Sequence, residues 1–235
     1  MQKLLAAIKY LTLWGRITRA KPTAEAIGNA AIYFPLIGFT LGLLLALIQY
    51  GLGLYLDSSI LSVLLVAALV LATGGRHFEG TRNTFAALCA GPASDTRLQD
   101  NFWGIVAIVL LILFKSRAID VINDKLTLSL LLTPVLARWA LVLFIYGYHE
   151  RCEETPRRIA ENVRFWHLLL TTVGILGLAF YLLGRKALWI GLALSVVMLL
   201  VRSFLHRRQA VLTHDNFGAV IELGETLCLI LLASL

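Results

Sequence analysis

The sequence predicts an all-α fold, a polytopic helical membrane protein with about seven transmembrane helices and an N-terminal interfacial helix. Three observations carry this. Of the 235 residues 59% are hydrophobic and the mean hydropathy is +0.81, whereas soluble domains lie nearer half apolar. The excess sits in continuous runs, the pattern of membrane spans, and not in amphipathic stripes. Lys and Arg crowd into alternate connections, as the positive-inside rule requires.

Residues 2–14 place Leu4, Leu5, Ile8 and Leu11 at helical spacing with Lys3 and Lys9 on the other face. The segment is too short and too charged to span, so it is expected to lie in the interface. Pro22 and Thr23 suit a helix start. The expected spans are 31–55, 60–74, 102–122, 127–147, 166–183, 187–204 and 217–235. Pro35 falls in the first turn of the first span, where proline is tolerated. Gly38 and Gly42 give that span a small-residue face suited to close helix packing. The second span is short for a full crossing. Lys115 and Arg117, toward the end of the third, are expected to snorkel to the headgroups. Arg138 lies mid-span in the fourth and needs a partner or a wet cavity.

With the N-terminus inside, fifteen Lys and Arg fall in inside segments and five outside, with Arg138 intramembrane. That asymmetry predicts a cytoplasmic N-terminus. The polar segments after spans two, four and six then share the cytoplasmic face. No internal repeat divides the chain, so residues 1–235 read as a single domain.

A net charge of +7 is explained by the same asymmetry. No stretch interleaves basic and aromatic residues as a nucleic-acid reader would, so no nucleic-acid partner is expected. Cys89, Cys152 and Cys228 are far apart, which argues against a disulfide framework or zinc site. Residues 1–30 lack the compact apolar core of a cleavable signal peptide. Hydrolase and ATPase motifs are absent.

Three polar groups could carry chemistry. Thr73 to Thr84 breaks the hydrocarbon with Arg76, His77, Glu79, Arg82 and Asn83. On a helix from about residue 76, Glu79 and Asn83 share a face, and their oxygens suit a hard divalent cation such as magnesium. The same residues also read as a solvated loop with Glu79 paired to an arginine. Asp95, Arg97, Asp100 and Asn101 follow the Gly91-Pro92 turn, either as further metal or phosphate contacts or as an ordinary polar loop. The third group is Thr213-His214-Asp215-Asn216, then Glu222 and Glu225 inside an apolar helix. Two carboxylates there are hard to explain as a solvated face, and Glu225 suits pairing with Arg138.

Four motifs carry a family resemblance. They are Phe34-Pro35-Leu36-Ile37-Gly38, Thr73 to Thr84, Thr133-Pro134-Val135-Leu136-Ala137-Arg138-Trp139, and Thr213 to Glu225. In this order they resemble the cobalamin synthase family, adenosylcobinamide-GDP ribazoletransferase, over most of the chain. The resemblance implies that the hydroxyl of α-ribazole, or of its phosphate, attacks adenosylcobinamide-GDP. GMP then leaves and adenosylcobalamin or its phosphate forms. It also implies Mg2+ and a bacterial or archaeal cytoplasmic membrane, with the site cytoplasmic. Carried onto this chain, the expected catalytic residues are Glu79, His77 and Asp215. The expected phosphate-binding arginines are Arg76, Arg82, Arg97 and Arg138. The expected metal ligands are Glu79, Asn83, Asp95, Asp100 and Glu222.

The chain departs from the family pattern at four places. Glu79 and Asn83 stand where the family has aspartates, Ala86 stands at a third, and His214 replaces a glycine. The loop around Asp95 and Asp100 is shorter, and either aspartate suits the missing position. Fewer carboxylates imply weaker magnesium binding. The alternatives are therefore a family member with lost or altered activity that binds a corrinoid or nucleotide-linked ligand, and a membrane transporter. Transporters show interrupted helices and repeated halves, neither of which the sequence displays. A homo-oligomer is left open.

Overall fold

The computed structural model describes residues 2–18, 21–89, 101–122, 125–148, 152–209 and 211–234. Its described residues form α-helices and no strand. Helix α1 (Gln2–Leu11) buries Ala6, Ala7, Tyr10 and Leu11. Leu5, on the apolar side read from the sequence, is 46% exposed. Small α2 (Trp14–Ile17) and α3 (Ala24–Asn29) follow. Thr23 caps α3, its side chain accepting from Ala26 N at 3.2 Å. That bond satisfies one of the donors left open at any helix start.

Helix α4 (Phe34–Leu52) begins with Pro35 in its first turn. Its small-residue face meets α8 (Leu126–Ile145) backbone to backbone. A Cβ added at Gly38 would lie 2.4 Å from Pro134 O, and one at Gly42 2.5 Å from Leu131 O. Any larger residue would force the two helices apart. Helix α8 is the centre of the bundle: most of its length is buried, and α4, α10 (Phe165–Leu183), α11 (Arg185–Arg208) and α12 (Asp215–Ser234) all pack on it.

The expected second span is α5 (Ser58–Ala72). Its 15 residues rise only about 22 Å, short of the roughly 30 Å hydrocarbon core. The chain then turns by 91° into α6 (Arg76–Cys89). Gly74 and Gly75 make the corner, with φ of 65° and 68°. That left-handed region is strained for residues with a side chain, so two consecutive glycines are what the corner needs. Helix α6 is more polar than the spans and runs nearly at right angles to α5.

The remaining elements are α7 (Asn101–Val121), α9 (Glu154–Asn162), α10 (Phe165–Leu183), α11 (Arg185–Arg208) and α12 (Asp215–Ser234). Among the described residues six helices are long and apolar enough to cross a membrane, or up to seven if the bent α5–α6 pair is one span. The chain is thus a multi-pass helical membrane protein. At one end of the bundle, Ser58 donates to Asp120 at 2.7 Å and Thr127 to Gln49 at 2.8 Å. At the other, Arg202 donates to the carbonyls of Tyr146 and Gly147, and Cys152 bridges to Leu212. This second end also carries α1, α3, α6, α9 and the start of α12, and it is the face that holds the site.

Candidate active site

Helix α6 crosses the start of α12 at glycines. A Cβ at Gly80 would sit 2.6 Å from Asp215 O, and one at Gly218 3.1 Å from His77 O. Side chains flanking the crossing therefore meet at close range. Asn83 Nδ2 donates to Asp215 Oδ2 at 2.9 Å. Arg82 donates to Asn83 Oδ1 through Nε at 3.2 Å and Nη2 at 3.1 Å. Asn216, fully buried, donates to Thr84 Oγ1 at 3.1 Å and accepts from Thr213 N at 2.7 Å. These bonds fix the turn that carries His214 and Asp215.

Beside the crossing lies a cavity of about 230 Å³. Helix α6 contributes Arg76, His77, Glu79 and Gly80; the α12 end contributes His214, Asp215, Phe217, Gly218 and Ile221; α1 contributes Tyr10 and Leu11. Arg76 is held by a bond from Nη1 to the Lys9 carbonyl at 3.2 Å. Tyr10 stacks on Phe34 with centroids 5.7 Å apart and meets the His214 ring edge-on at 5.5 Å. The pocket thus has an aromatic wall together with cationic and carboxylate groups.

Burial sets the protonation of this wall. It lowers the His214 pKa, an effect the Arg76 charge adds to and Asp215 opposes. It pushes the Tyr10 phenol above its ordinary value. His77, at the start of α6, falls to about 3, chiefly through burial and then the Arg138 charge. Its imidazole is therefore neutral at physiological pH.

Beneath the pocket, inside the bundle, sits a cluster of four charges. Lys115 Nζ binds Glu222 Oε2 and also reaches Glu225 Oε2 at 2.6 Å. Arg138 Nη1 binds Glu225 Oε1. None of the four side chains is more than 2% exposed. The pairing of Arg138 with Glu225 is the one expected from the sequence. Lys115 is the correction: it does not snorkel to a headgroup but points into the core, 5.6 Å above the Phe78 ring. Two buried carboxylates need two buried cations, because an unpaired charge at this depth is far costlier than a paired one.

The structure brings Arg76, His77, Glu79 and Asp215 together around one pocket. Arg82 and Asn83 stand behind Asp215 and do not line the cavity. The Asn83 oxygen, expected on a metal, instead accepts from Arg82. Arg138, expected on a phosphate, and Glu222, expected on a metal, are engaged in the buried cluster. Asp95, Arg97 and Asp100 lie outside the described residues. No local sequence signal marks Tyr10, and the one at Lys115 reads as snorkelling. His214 stands in the third polar group read from the sequence, without an expected role of its own.

Among the described residues no group of three or more His, Cys, Asp and Glu is arranged to hold a metal. The pocket does offer two carboxylates, Glu79 and Asp215. That pair fits magnesium as it is used with phosphate substrates, where one or two carboxylates and the phosphate oxygens share the ion. It does not fit a closed all-protein cage.

The sequence profile described as cobalamin-5-phosphate synthase matches residues 3–233. The chain is similar to the adenosylcobinamide-GDP ribazoletransferase of Geotalea daltonii, 29% identical over 90% of this chain and 88% of that protein. It is similar to the enzyme of the same name from Pseudomonas paraeruginosa, 32% identical over 99% of this chain and 98% of that protein. The Alkaliphilus metalliredigens protein of that name is 28% identical over 96% and 92%. No solved structure matches the chain. A profile match spanning nearly the whole sequence, and full-length relatives of one name, place this chain in the cobalamin-5-phosphate synthase family.

Proposed function

We propose that this chain joins adenosylcobinamide-GDP to α-ribazole, or to its phosphate, in the last steps of cobalamin biosynthesis. The observation that carries the proposal is the convergence of Arg76, His77, Glu79 and Asp215 on one cavity at the membrane face. Those groups supply what transfer from a diphosphate requires: cationic neutralisation, a proton acceptor and oxygen ligands for a divalent ion.

Arg76 takes the charge of the diphosphate, since a guanidinium held from behind presents its remaining donors as a fork. Neutral His77 accepts the proton of the attacking ribazole hydroxyl. The hydroxyl oxygen forms a new bond to the phosphorus on the cobinamide side. The bond from that phosphorus to the bridging oxygen breaks, its electron pair leaves with GMP, and the proton on His77 passes to solvent. Glu79 and Asp215 would hold Mg2+, which when bound withdraws charge from the phosphoryl oxygens. Asn83 keeps the Asp215 carboxylate in place. A cavity of about 230 Å³ admits the diphosphate and a small ring, so the corrin macrocycle stays outside on the membrane face. The excess of Lys and Arg on this face supports a cytoplasmic orientation.

The test is incubation of the purified protein with adenosylcobinamide-GDP, α-ribazole and magnesium. The expected result is GMP release with formation of the joined corrinoid, and its loss in Glu79→Gln. No product at high enzyme concentration, with corrinoid binding retained, would overturn the proposal. It would favour the binding-only alternative that Asn83 and Ala86 suggest.

A further inference from the structure

His77 stands between the pocket and the buried charges. It lines the cavity. Its backbone is locked against Gly218, where an added Cβ would lie 3.1 Å from the His77 carbonyl oxygen. Its Nδ1 is buried without a hydrogen-bond partner, 3.8 Å from Glu222 Oε1. Buried ring nitrogens are seldom left unpaired, and this one has a carboxylate oxygen within 3.8 Å. The second oxygen of that carboxylate is held by Lys115.

The cluster divides into two neutral pairs that stand differently toward the pocket. Lys115–Glu222 abuts His77. Arg138–Glu225 makes no hydrogen bond or ion pair with any described residue lining the cavity. Stability alone does not account for the first pair. Desolvation largely offsets the attraction of buried ions, and apolar residues of similar volume often serve as well.

We propose that Lys115 and Glu222 are positioning residues for His77. Lys115 fixes Glu222 so that its Oε1 accepts the Nδ1 proton of the imidazole, which presents Nε2 to the pocket as an acceptor. The gap of 3.8 Å is within the looseness that catalytic pairs show before substrate binds. A carboxylate that sets a histidine's tautomer and orientation is a recurrent way of preparing a proton acceptor. The kinetic consequence rests on the transferase reading; the tautomer does not.

The experiment compares Lys115→Met/Glu222→Leu with Arg138→Met/Glu225→Leu, each of which removes one neutral pair and leaves the other. Folding is checked by size exclusion and thermal unfolding in detergent. The His77 tautomer is read by nitrogen-15 NMR of labelled protein. The wild type is expected to hold the proton on Nδ1. In the first variant that signature is lost, and kcat falls about 10- to 100-fold with KM little changed, the usual cost of removing an orienting partner. In the second variant the Nδ1 signature persists and kcat falls less than in the first, since Arg138 and Glu225 reach His77 only through their charge. An unchanged tautomer in the first variant, or equal losses of kcat in both, overturns the proposal. If the first variant does not fold, Glu222→Leu, which leaves Lys115 its bond to Glu225 and offers the imidazole no acceptor, takes its place in the same comparison. A wild type that makes no product refutes the transferase reading alone, and the tautomer still decides the positioning role.

Discussion

Asn83 donates its side-chain amide to Asp215 Oδ2 at 2.9 Å across 132 positions of sequence. The bond ties the helix after the glycine corner to the first residue of α12. The Asn83 Oδ1 in turn accepts from both Nε and Nη2 of Arg82. The three residues form a line from guanidinium to amide to carboxylate, ending at the pocket. Asn83 stands where the family has an aspartate, and an amide can do what an aspartate cannot: donate to a second carboxylate while accepting from an arginine.

Asn83→Ala is therefore expected to lower kcat about 10- to 100-fold by releasing Asp215. Arg82→Ala acts only through Asn83 and is expected to cost less. Initial-rate kinetics on the two folded variants check this. Full activity in Asn83→Ala, or a larger loss in Arg82→Ala, contradicts the order.

Close approach at the α6–α12 crossing gives a stability prediction. In Gly80→Ala the new methyl would meet Asp215 O at 2.6 Å, and that backbone oxygen cannot rotate away. The two helices must separate, at a cost of about 1–3 kcal/mol typical of overpacking. Gly218→Ala meets His77 O at 3.1 Å and needs a smaller shift. Thermal unfolding in detergent should rank wild type above Gly218→Ala above Gly80→Ala. An unaltered Gly80→Ala would mean that the crossing is looser than described.

Much of this architecture was legible in the chain because its causes are local. Gly38 and Gly42, four apart, announced a helix face made for contact, and that face meets α8. Gly74 and Gly75 marked a break, and their positive φ makes the 91° corner. The pocket residues Arg76, His77 and Glu79 stood out as costly polar groups beside hydrocarbon. Lys115 was misplaced because its meaning is not local. Six residues from the end of an apolar helix, a lysine looks like a snorkelling group, and its partner Glu222 lies 107 positions away. Charge parity held the missing signal: Glu222 and Glu225 are two intramembrane carboxylates, and Arg138 neutralises only one. Tyr10 carried no signal at all, since its place in the pocket depends on how α1 docks.

The cysteines test which groups reach solvent. Cys89 is exposed, whereas Cys152 is half-buried and its thiol is pushed up to about 11 by burial, with Arg202 and Arg157 opposing. The thiolate is the reacting species. Raising the pKa lowers its fraction at neutral pH, so Cys152 is expected to label slowly at pH 7 and about tenfold faster per pH unit until pH nears 11. A maleimide time course on single-cysteine variants checks this. A Cys152 rate that is flat with pH would refute the buried environment. An impermeant reagent adds the orientation: Cys89 should react in inside-out vesicles and not in right-side-out ones.

Arg76 carries the last prediction. Its Nη1 is held by the Lys9 carbonyl at 3.2 Å, so α1 aims the guanidinium that lines the cavity. A bond to a charged phosphate is worth about 1.5–3 kcal/mol, or roughly 10- to 100-fold in affinity. Arg76→Gln is thus expected to weaken adenosylcobinamide-GDP binding by that factor. Arg76→Lys keeps the charge but gives up the planar fork, and a lysine cannot serve a backbone carbonyl and a diphosphate in the same geometry. It should recover only part of the loss. Equilibrium binding of the corrinoid substrate to the three proteins decides the matter. If the lysine variant binds as tightly as wild type, charge alone suffices and the hold from Lys9 is incidental. If the glutamine variant does so too, the diphosphate is not bound in this pocket.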